Sequence, residues 1–413
     1  MAERLVIDNF AGLKHVDIEL RKINIFIGPQ ATGKSVAAKL AYFFKSLSAE
    51  IVAAAIEAPK RMDFSSRQVA RFRNYFPPET CDGRRFAVRY ECARESAEVK
   101  STGKEQTERS QAYAASAFYD EAVRQAAEAV RQGSKLGPYI AALGAIAHLV
   151  QNGAFPPSLF FDQLFIPAER AFYANVRSAV FSIMSAQAVL DPFLIAFGST
   201  YEGIKKVYLD HQHGEGEMWR ISREILGATY LQEDGEEYLA LPDGRRVDVG
   251  HSSSGQQAAL PICVLPAAWL LGHLMMGRTF WIEEPEAHVF PTTQRLIVEL
   301  MAEVFNAQLH NEPVQYGITT HSPYILTAFN NLIQAGKLAE ELAGDAAALK
   351  KLHEIVPESR IISPKDVAAY YFDNGTARPI MDEETGLILA EEIDNVSEEI
   401  AIQFDKLLDI ERH

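Results

Sequence analysis

The sequence predicts an α/β protein with a mostly parallel central sheet, an antiparallel β part at the N-terminus, a helical lid and an α+β insertion. Three observations carry that prediction. Apolar, strand-like segments alternate with helical ones along much of the chain. The stretch GPQATGKS, residues 28–35, joins a buried-looking strand to a helix. Between about residues 48 and 162 the pattern breaks into Ala-rich helical pieces and short strand candidates.

The elements follow in order. RLVIDNF, KHVDIEL and INIFIG read as three short strands, the last one buried, and KSVAAKLAYFFKSL as the helix after them. Within the insertion, RRFAVRYECA and SAEVKST read as strands, and QAYAASAFYDEAVRQAAEAVRQ and YIAALGAIAHLVQ as helices. LFIPAER resumes the core as a buried strand, and residues 172–225 form the lid. EYLALPDGRRVDVG is a hairpin candidate with Asp243 and Gly244 at its turn. HSSSGQQAAL, residues 251–260, opens a long apolar helix. RTFWIEEPE and YGITTHSP are strands, each followed by a helix. DVAAYYFDNG, ARPIMDEETG and an acidic helix from Asp394 close the chain. The expected units are residues 1–47 (first part of the core), 48–162 (insertion), 163–340 (rest of the core with its lid) and 341–413 (C-terminal α+β extension).

Of 413 residues, 48% are hydrophobic and 23% charged, the balance of a soluble globular protein. A formal net charge of −15 argues against a protein that coats nucleic acid through bulk electrostatics, although it leaves room for a local basic patch. Three cysteines without a CxxC pair indicate neither a disulfide framework nor a zinc site. The N-terminus carries no apolar run of signal-peptide type, and residues 260–276, with Pro261, Pro266 and His273, fall short of a membrane span. No membrane partner and a cytoplasmic location are expected.

GPQATGKS fits G-x-x-x-x-G-K-[ST] in the right strand–helix context. The backbone N–H groups of Gly28, Pro29, Gln30, Ala31, Thr32 and Gly33 (Pro29 excepted, having none) are expected to close around phosphate oxygens at a helix N-terminus. Lys34 reaches for the β and γ phosphates, and Ser35 for Mg²⁺. In RTFWIEEPEAH an apolar strand delivers Glu283 and Glu284 at its carboxyl end, where ligands gather in α/β sheets. One acid can bind Mg²⁺ and the next polarise a water; a strand end running out into solvent is the plain alternative. YGITTHSP ends in Thr319, Thr320 and His321, a histidine that is either structural or set against the γ-phosphate.

The order of these motifs resembles that of ABC-type ATPases of the RecF, SMC and overcoming-lysogenization-defect (OLD) branch. SSSGQ, residues 252–256, resembles their LSGGQ signature. The resemblance covers roughly residues 1–45 and 160–330 and implies an ABC-type P-loop ATPase head that takes ATP and Mg²⁺. It implies that Ser253, Ser254, Gly255 and Gln256 contact nucleotide held by the P-loop of a second copy, in head-to-tail ATP-sandwich dimers. By the same resemblance Glu283 is the Mg²⁺-side acid, Glu284 the catalytic base and His321 the switch histidine. Three positions depart from the family pattern or find no certain place in it. Glu283 stands where Asp is usual, Phe290 where the D-loop carries Asp or His, and the Q-loop glutamine has no clear counterpart. Glu169 and Arg170 are read either as its substitutes or as an exposed ion pair, and Lys14 as a surface lysine.

The insertion sustains no heptads, unlike the coiled-coil arm of SMC or Rad50 proteins. No D-x-D pair follows His321, so the Toprim chemistry of OLD proteins is not expected in this chain. The layout is similar to ATPase subunits of split bacterial anti-phage systems, PARIS-type first and Septu-type next. There a separate effector, a Toprim or HNH nuclease, is the expected partner. A nucleotide-gated scaffold with little turnover and a RecF-like repair ATPase are the alternatives. Residues 60–76 gather arginines and aromatics that either bind nucleic acid or pack a helix onto the core.

Overall fold

The computed structural model describes residues 3–57, 64–81, 85–101, 111–133, 135, 137–151, 157–173, 191–211, 213–271, 277–307, 313–389, 402–404 and 407. Strands β1 (Glu3–Phe10), β2 (Leu13–Leu20) and β3 (Ile23–Ile27) come first. The helices Lys34–Lys45, Leu47–Ile56 and Phe64–Tyr75 follow. Next are β4 (Ala87–Cys92), β5 (Glu95–Ser101) and β6 (Gln111–Ala115), then helices Ala117–Gln132 and Pro138–Gln151. The chain returns with β7 (Asp162–Ile166), the lid helices Pro192–Asp210 and Glu217–Leu226, and β8 (Thr229–Glu233), β9 (Glu236–Ala240) and β10 (Arg246–Asp248). Helix Ser254–Leu271, β11 (Arg278–Glu283), helix Pro291–Asn306, β12 (Val314–Thr320) and helix Pro323–Glu341 carry most of the motifs. Helix Ala346–Ile355, β13 (Val367–Asp373) and β14 (Thr376–Pro379) complete the chain's regular elements among the described residues.

Eleven of these strands form a single sheet in the order β6-β5-β4-β1-β2-β14-β13-β3-β12-β11-β7, while β8, β9 and β10 make a separate one. From β13 through β3, β12 and β11 to β7 every pairing is parallel. From β6 through β5, β4 and β1 to β2 every pairing is antiparallel. The fold class is the expected one, α/β with a parallel core and an antiparallel N-terminal part. The two parts meet at β14, which lies antiparallel to β13 and parallel to β2. The side-chain period of two divides the core between the sheet's faces. Ile23, Ile25 and Ile27 of β3 enter one apolar cluster, whereas Phe26 enters the other.

The strands of residues 85–115 extend the sheet by pairing β4 with β1 from Glu3↔Cys92 to Asp8↔Ala87. At the other end of the sequence, β13 lies between β3 and β14, so the chain beyond residue 341 supplies the neighbour of the P-loop strand.

Two expectations need correction. Residues 111–115 are an edge strand rather than the start of a helix. Tyr113 turns inward there and pairing with β5 overrides the helix preference of the alanines. The hairpin at Asp243 and Gly244 is present, but the sequence reading missed the one before it. There β8 and β9 turn at Asp234 (φ 52°) and Gly235 (φ 84°), the left-handed pair a two-residue hairpin favours.

The basic and aromatic stretch packs inward. Phe64, Phe72 and Phe76 are buried. Arg67 donates to Glu57 (2.5 Å), Arg71 to the Phe43 carbonyl (3.0 Å), and Arg73 to Gln111 (3.1 Å). These arginines spend their donors within the chain, which favours packing over a nucleic-acid surface; Lys60 and Arg61 lie outside the described residues. So does nearly all of the acidic helix expected from Asp394.

Candidate active site

The parallel strands β3, β12 and β11 are neighbours, so the loops leaving their carboxyl ends come together. After β3, Gly28 and Gly33 take φ of 149° and 96°, and Ala31 takes 62°. Gly28 has no room for a side chain, since a Cβ there would sit 2.1 Å from the Phe372 carbonyl oxygen of β13. Thr32 donates its hydroxyl to Pro29 O at 2.9 Å, closing the loop on itself. Pro29, Gln30 and Ala31 are exposed, Thr32, Gly33 and Ser35 half-buried, and Lys34 buried.

The Lys34 ammonium donates to the carbonyls of Gly28 (2.9 Å) and Pro29 (2.7 Å) and lies 3.4 Å from His321 Nδ1. Burial pushes its pKa down to about 8, with Glu284 and Glu286 pulling the other way. An ammonium on two carbonyls in a glycine loop is a charge held ready for an anion.

Glu283 ends β11 with its side chain buried. Oε2 accepts the Ala168 N–H at 3.3 Å, whereas Oε1 has no hydrogen-bond partner among the described residues. Burial raises its pKa, partly offset by Lys39 and by the Ser35 hydroxyl. Thr319 stands opposite in register on β12, and its buried hydroxyl is likewise without a partner among the described residues. Glu283 and Thr319 are thus hard oxygen donors with spare capacity, and with the Ser35 hydroxyl beside Glu283 they make a set that fits Mg²⁺. Among the described residues no group of three His, Cys, Asp or Glu side chains could hold a metal alone.

Glu284 is not the second acid of a strand, as expected, but the first residue beyond it. Its φ is 43°, and its N–H donates to Thr319 O at 2.8 Å. This left-handed step, followed by Pro285, turns the carboxylate out of the pleat and to the surface of the cleft. Oε1 lies 3.4 Å from His321 Nε2. The structure therefore brings Lys34, Glu284 and His321 together, with Ser35 and Glu283 beside them.

Arg170 is not half of an exposed ion pair. It is fully buried, and donates to Glu283 O (2.6 Å), Glu284 O (2.8 Å), Ala258 O (2.8 Å) and Pro167 O (3.2 Å). One guanidinium thus joins the end of β7, both acids' backbones and the first turns of helix Ser254–Leu271. Burial lowers its pKa to about 10, and it stays charged at neutral pH. The fork of a buried arginine suits several carbonyls at once, as no lysine would. Glu169 beside it is exposed, as is Lys14. A cavity of about 440 Å³ lies behind Arg170, walled by Tyr173, Tyr201, Glu237 and Gln257.

The polar start of helix Ser254–Leu271 is a reciprocal cap. Ser253 Oγ accepts the Gln256 N–H at 3.3 Å, and Gln256 Oε1 accepts the Ser253 N–H at 3.1 Å. Gln256 also donates to Leu226 O at 2.8 Å, tying the helix start to the lid. Ser253 and Ser254 are exposed. Gly255 lies so close to the loop after β11 that a Cβ would sit 2.8 Å from His288 O. Phe290, in that same loop, is 73% exposed.

Glu286, not singled out by the motifs, is a half-buried carboxylate whose Oε1 accepts the His321 N–H at 2.6 Å. Its place as the third acid of EEPE was the available signal.

Residues 190–326 match the family described as AAA ATPase domain, a span that holds SSSGQ, the paired acids and His321 but not the P-loop. A comparison with curated proteins finds no match. Among solved structures, an SMC head bound to the C-winged helix domain of ScpA aligns over 92% of this chain and 96% of its own, at 11% identity and a TM-score of 0.45. The SMC head domain from Thermotoga maritima aligns over 92% and 98%, at 10% identity and 0.38. A RecF–ATPγS structure from the RecFOR pathway aligns over 92% and 98%, at 10% identity and 0.36. At these TM-scores the likenesses carry nothing over to this chain. No helix among the described residues is long and apolar enough to cross a membrane. The matched domain makes this protein an ATPase.

Proposed function

We propose that the chain binds Mg²⁺–ATP and hydrolyses it as one half of a head-to-tail dimer, and that this assembly controls a separate effector, a Toprim or HNH nuclease, in bacterial anti-phage defence. The observation that carries the enzymatic part is the convergence of Lys34, Glu284 and His321 on one cleft. Backbone N–H groups of residues 28–33 and Lys34 bind the phosphates, Lys34 leaving two carbonyls to do so. Ser35 and Glu283 hold Mg²⁺, which neutralises charge on the phosphate oxygens. Glu284 takes the proton from the attacking water and His321 orients it against the γ-phosphate. The exposed start of helix Ser254–Leu271 supports the dimer, because a helix N-terminus favours an anion and Ser253 and Ser254 stand at the surface where one from a second copy could reach it. The defence role rests on the likeness to PARIS-type and Septu-type subunits alone.

The test is phosphate release and molecular mass for wild type and Glu284→Gln, with and without ATP. The variant is expected to bind ATP, to lose about a hundredfold or more in turnover, and to accumulate as dimer. Unchanged phosphate release removes Glu284 from catalysis. A second reading, ATP-gated assembly with little turnover, draws on Phe290 in place of a polar D-loop residue, and slow wild-type release with ATP-dependent mass would favour it.

A further inference from the structure

His321 has weak anchorage for a residue at the centre of the site. Its ring makes two long contacts, Nε2 to Glu284 Oε1 and Nδ1 to Lys34 Nζ, both 3.4 Å. Neither is short enough to fix an imidazole that is one-third exposed. The strong bond is on the backbone, where the His321 N–H donates to Glu286 Oε1 at 2.6 Å. A carboxylate acceptor makes such a bond roughly twice as strong as a neutral one.

Glu286 is itself held. It lies in the turn after β11, where Ala287 N–H donates to Glu284 O (2.9 Å) and Val289 N–H to Glu286 O (3.2 Å). On the histidine's other side, Ser322 N–H donates to Thr320 Oγ1 (3.0 Å), and Ser322 Oγ donates to Gln294 Oε1 (2.6 Å). The turn that carries Glu286 is thus closed on itself, Ser322 ties the histidine's loop to helix Pro291–Asn306, and the Glu286–His321 bond is the tie between the two loops that acts on the histidine itself. Glu286 Oε2 is buried with no partner among the described residues. Its carboxylate thus spends its one short bond on the His321 backbone.

We propose that Glu286 is a positioning residue for hydrolysis, holding His321 between Lys34 and Glu284 through the His321 backbone N–H. This rests on the ATPase reading of the site above. In the chain's own terms, the third acid of EEPE sets the place of the histidine that the second acid works with.

The experiment is a double-mutant cycle on the full chain, with Glu286→Ala, Glu286→Gln and His321→Ala, following kcat, KM and ATP affinity. Glu286→Ala is expected to lower kcat about tenfold to a hundredfold while ATP affinity stays within about threefold, since a small misplacement of a reacting group costs that much. Glu286→Gln, whose amide oxygen can accept the same N–H, is expected to keep at least about a third of kcat. On a His321→Ala background, Glu286→Ala is expected to cost nothing further. Wild-type kcat in Glu286→Ala overturns the proposal. So does the full loss repeated on His321→Ala, or a Gln variant as damaged as Ala, which would place the effect in charge. Should Glu286→Ala not fold, Glu286→Met keeps the volume without the acceptor and takes its place in the cycle. Glu284→Gln run alongside separates the two claims, because normal turnover in that variant sinks the ATPase reading whatever Glu286 does.

Discussion

The P-loop half of the site and the helix start at residues 253–256 are both made of small and polar residues, yet their hydrogen-bond accounts differ. In the P-loop half, Glu283 Oε1, Thr319 Oγ1 and Glu286 Oε2 lack partners among the described residues, and Lys34 sits on two carbonyls. Buried polar atoms left so are costly, and a ligand would repay them. At the helix start, Ser253 and Gln256 satisfy each other, and Gly255 is explained by its approach to His288. One half has polar capacity that a ligand could use; the other is capped by its own side chains and offers the exposed end of a helix. The P-loop half should thus govern affinity, and the helix start should matter once a second copy supplies the nucleotide.

The largest expected effect on this contrast is at Lys34. Lys34→Ala should abolish detectable ATP binding by calorimetry, and normal affinity would end the P-loop reading. Arg170 links the halves, so its loss should damage both. Arg170→Met leaves four carbonyls without their shared donor and should cost on the order of 3 kcal/mol, read as a lowered urea midpoint at unchanged m. An unaltered midpoint would show that Arg170 does not brace the acids. Gly255→Ala sharpens the comparison further. A Cβ 2.8 Å from His288 O should cost about 1–3 kcal/mol in the protein without nucleotide. Undiminished stability would mean that Gly255 is there for the partner's nucleotide alone.

The smallest effect is on pH. Folded Lys34 loses its proton near 8, below its ordinary 10.5, so between these values the unfolded chain binds more protons. This group therefore adds stability as pH rises through that window. ATP binding needs the ammonium and should weaken between pH 7 and 9, which calorimetry at the two values would show. Constant affinity would mean that Lys34 keeps its proton throughout that range.

Much of this was legible in the sequence because the signals are local. GPQATGKS, RTFWIEEPE and YGITTHSP each pair an apolar strand with a polar exit, and the structure sets their ends side by side. What stayed hidden depends on contacts distant in sequence. Arg170 looked like half of a surface ion pair since nothing near it reveals that Ala258, Glu283 and Glu284 turn their carbonyls toward it. The place of β13 beside β3 is equally unreadable, because a parallel neighbour more than 300 residues away leaves no trace in periodicity. The edge strand at residues 111–115 was missed for the opposite reason. Its alanines signal helix, and only the pairing with β5 decides otherwise.

A site completed by a second copy is tested most directly by mixing two dead variants. Lys34→Ala removes one chain's P-loop, and Ser254→Arg blocks one chain's helix start; each alone should be inactive. In an equal mixture, half the dimers pair one intact P-loop with one intact helix start, so ATP turnover should return to about a quarter of wild type. Turnover no higher than the sum of the two separate variants would contradict the shared site.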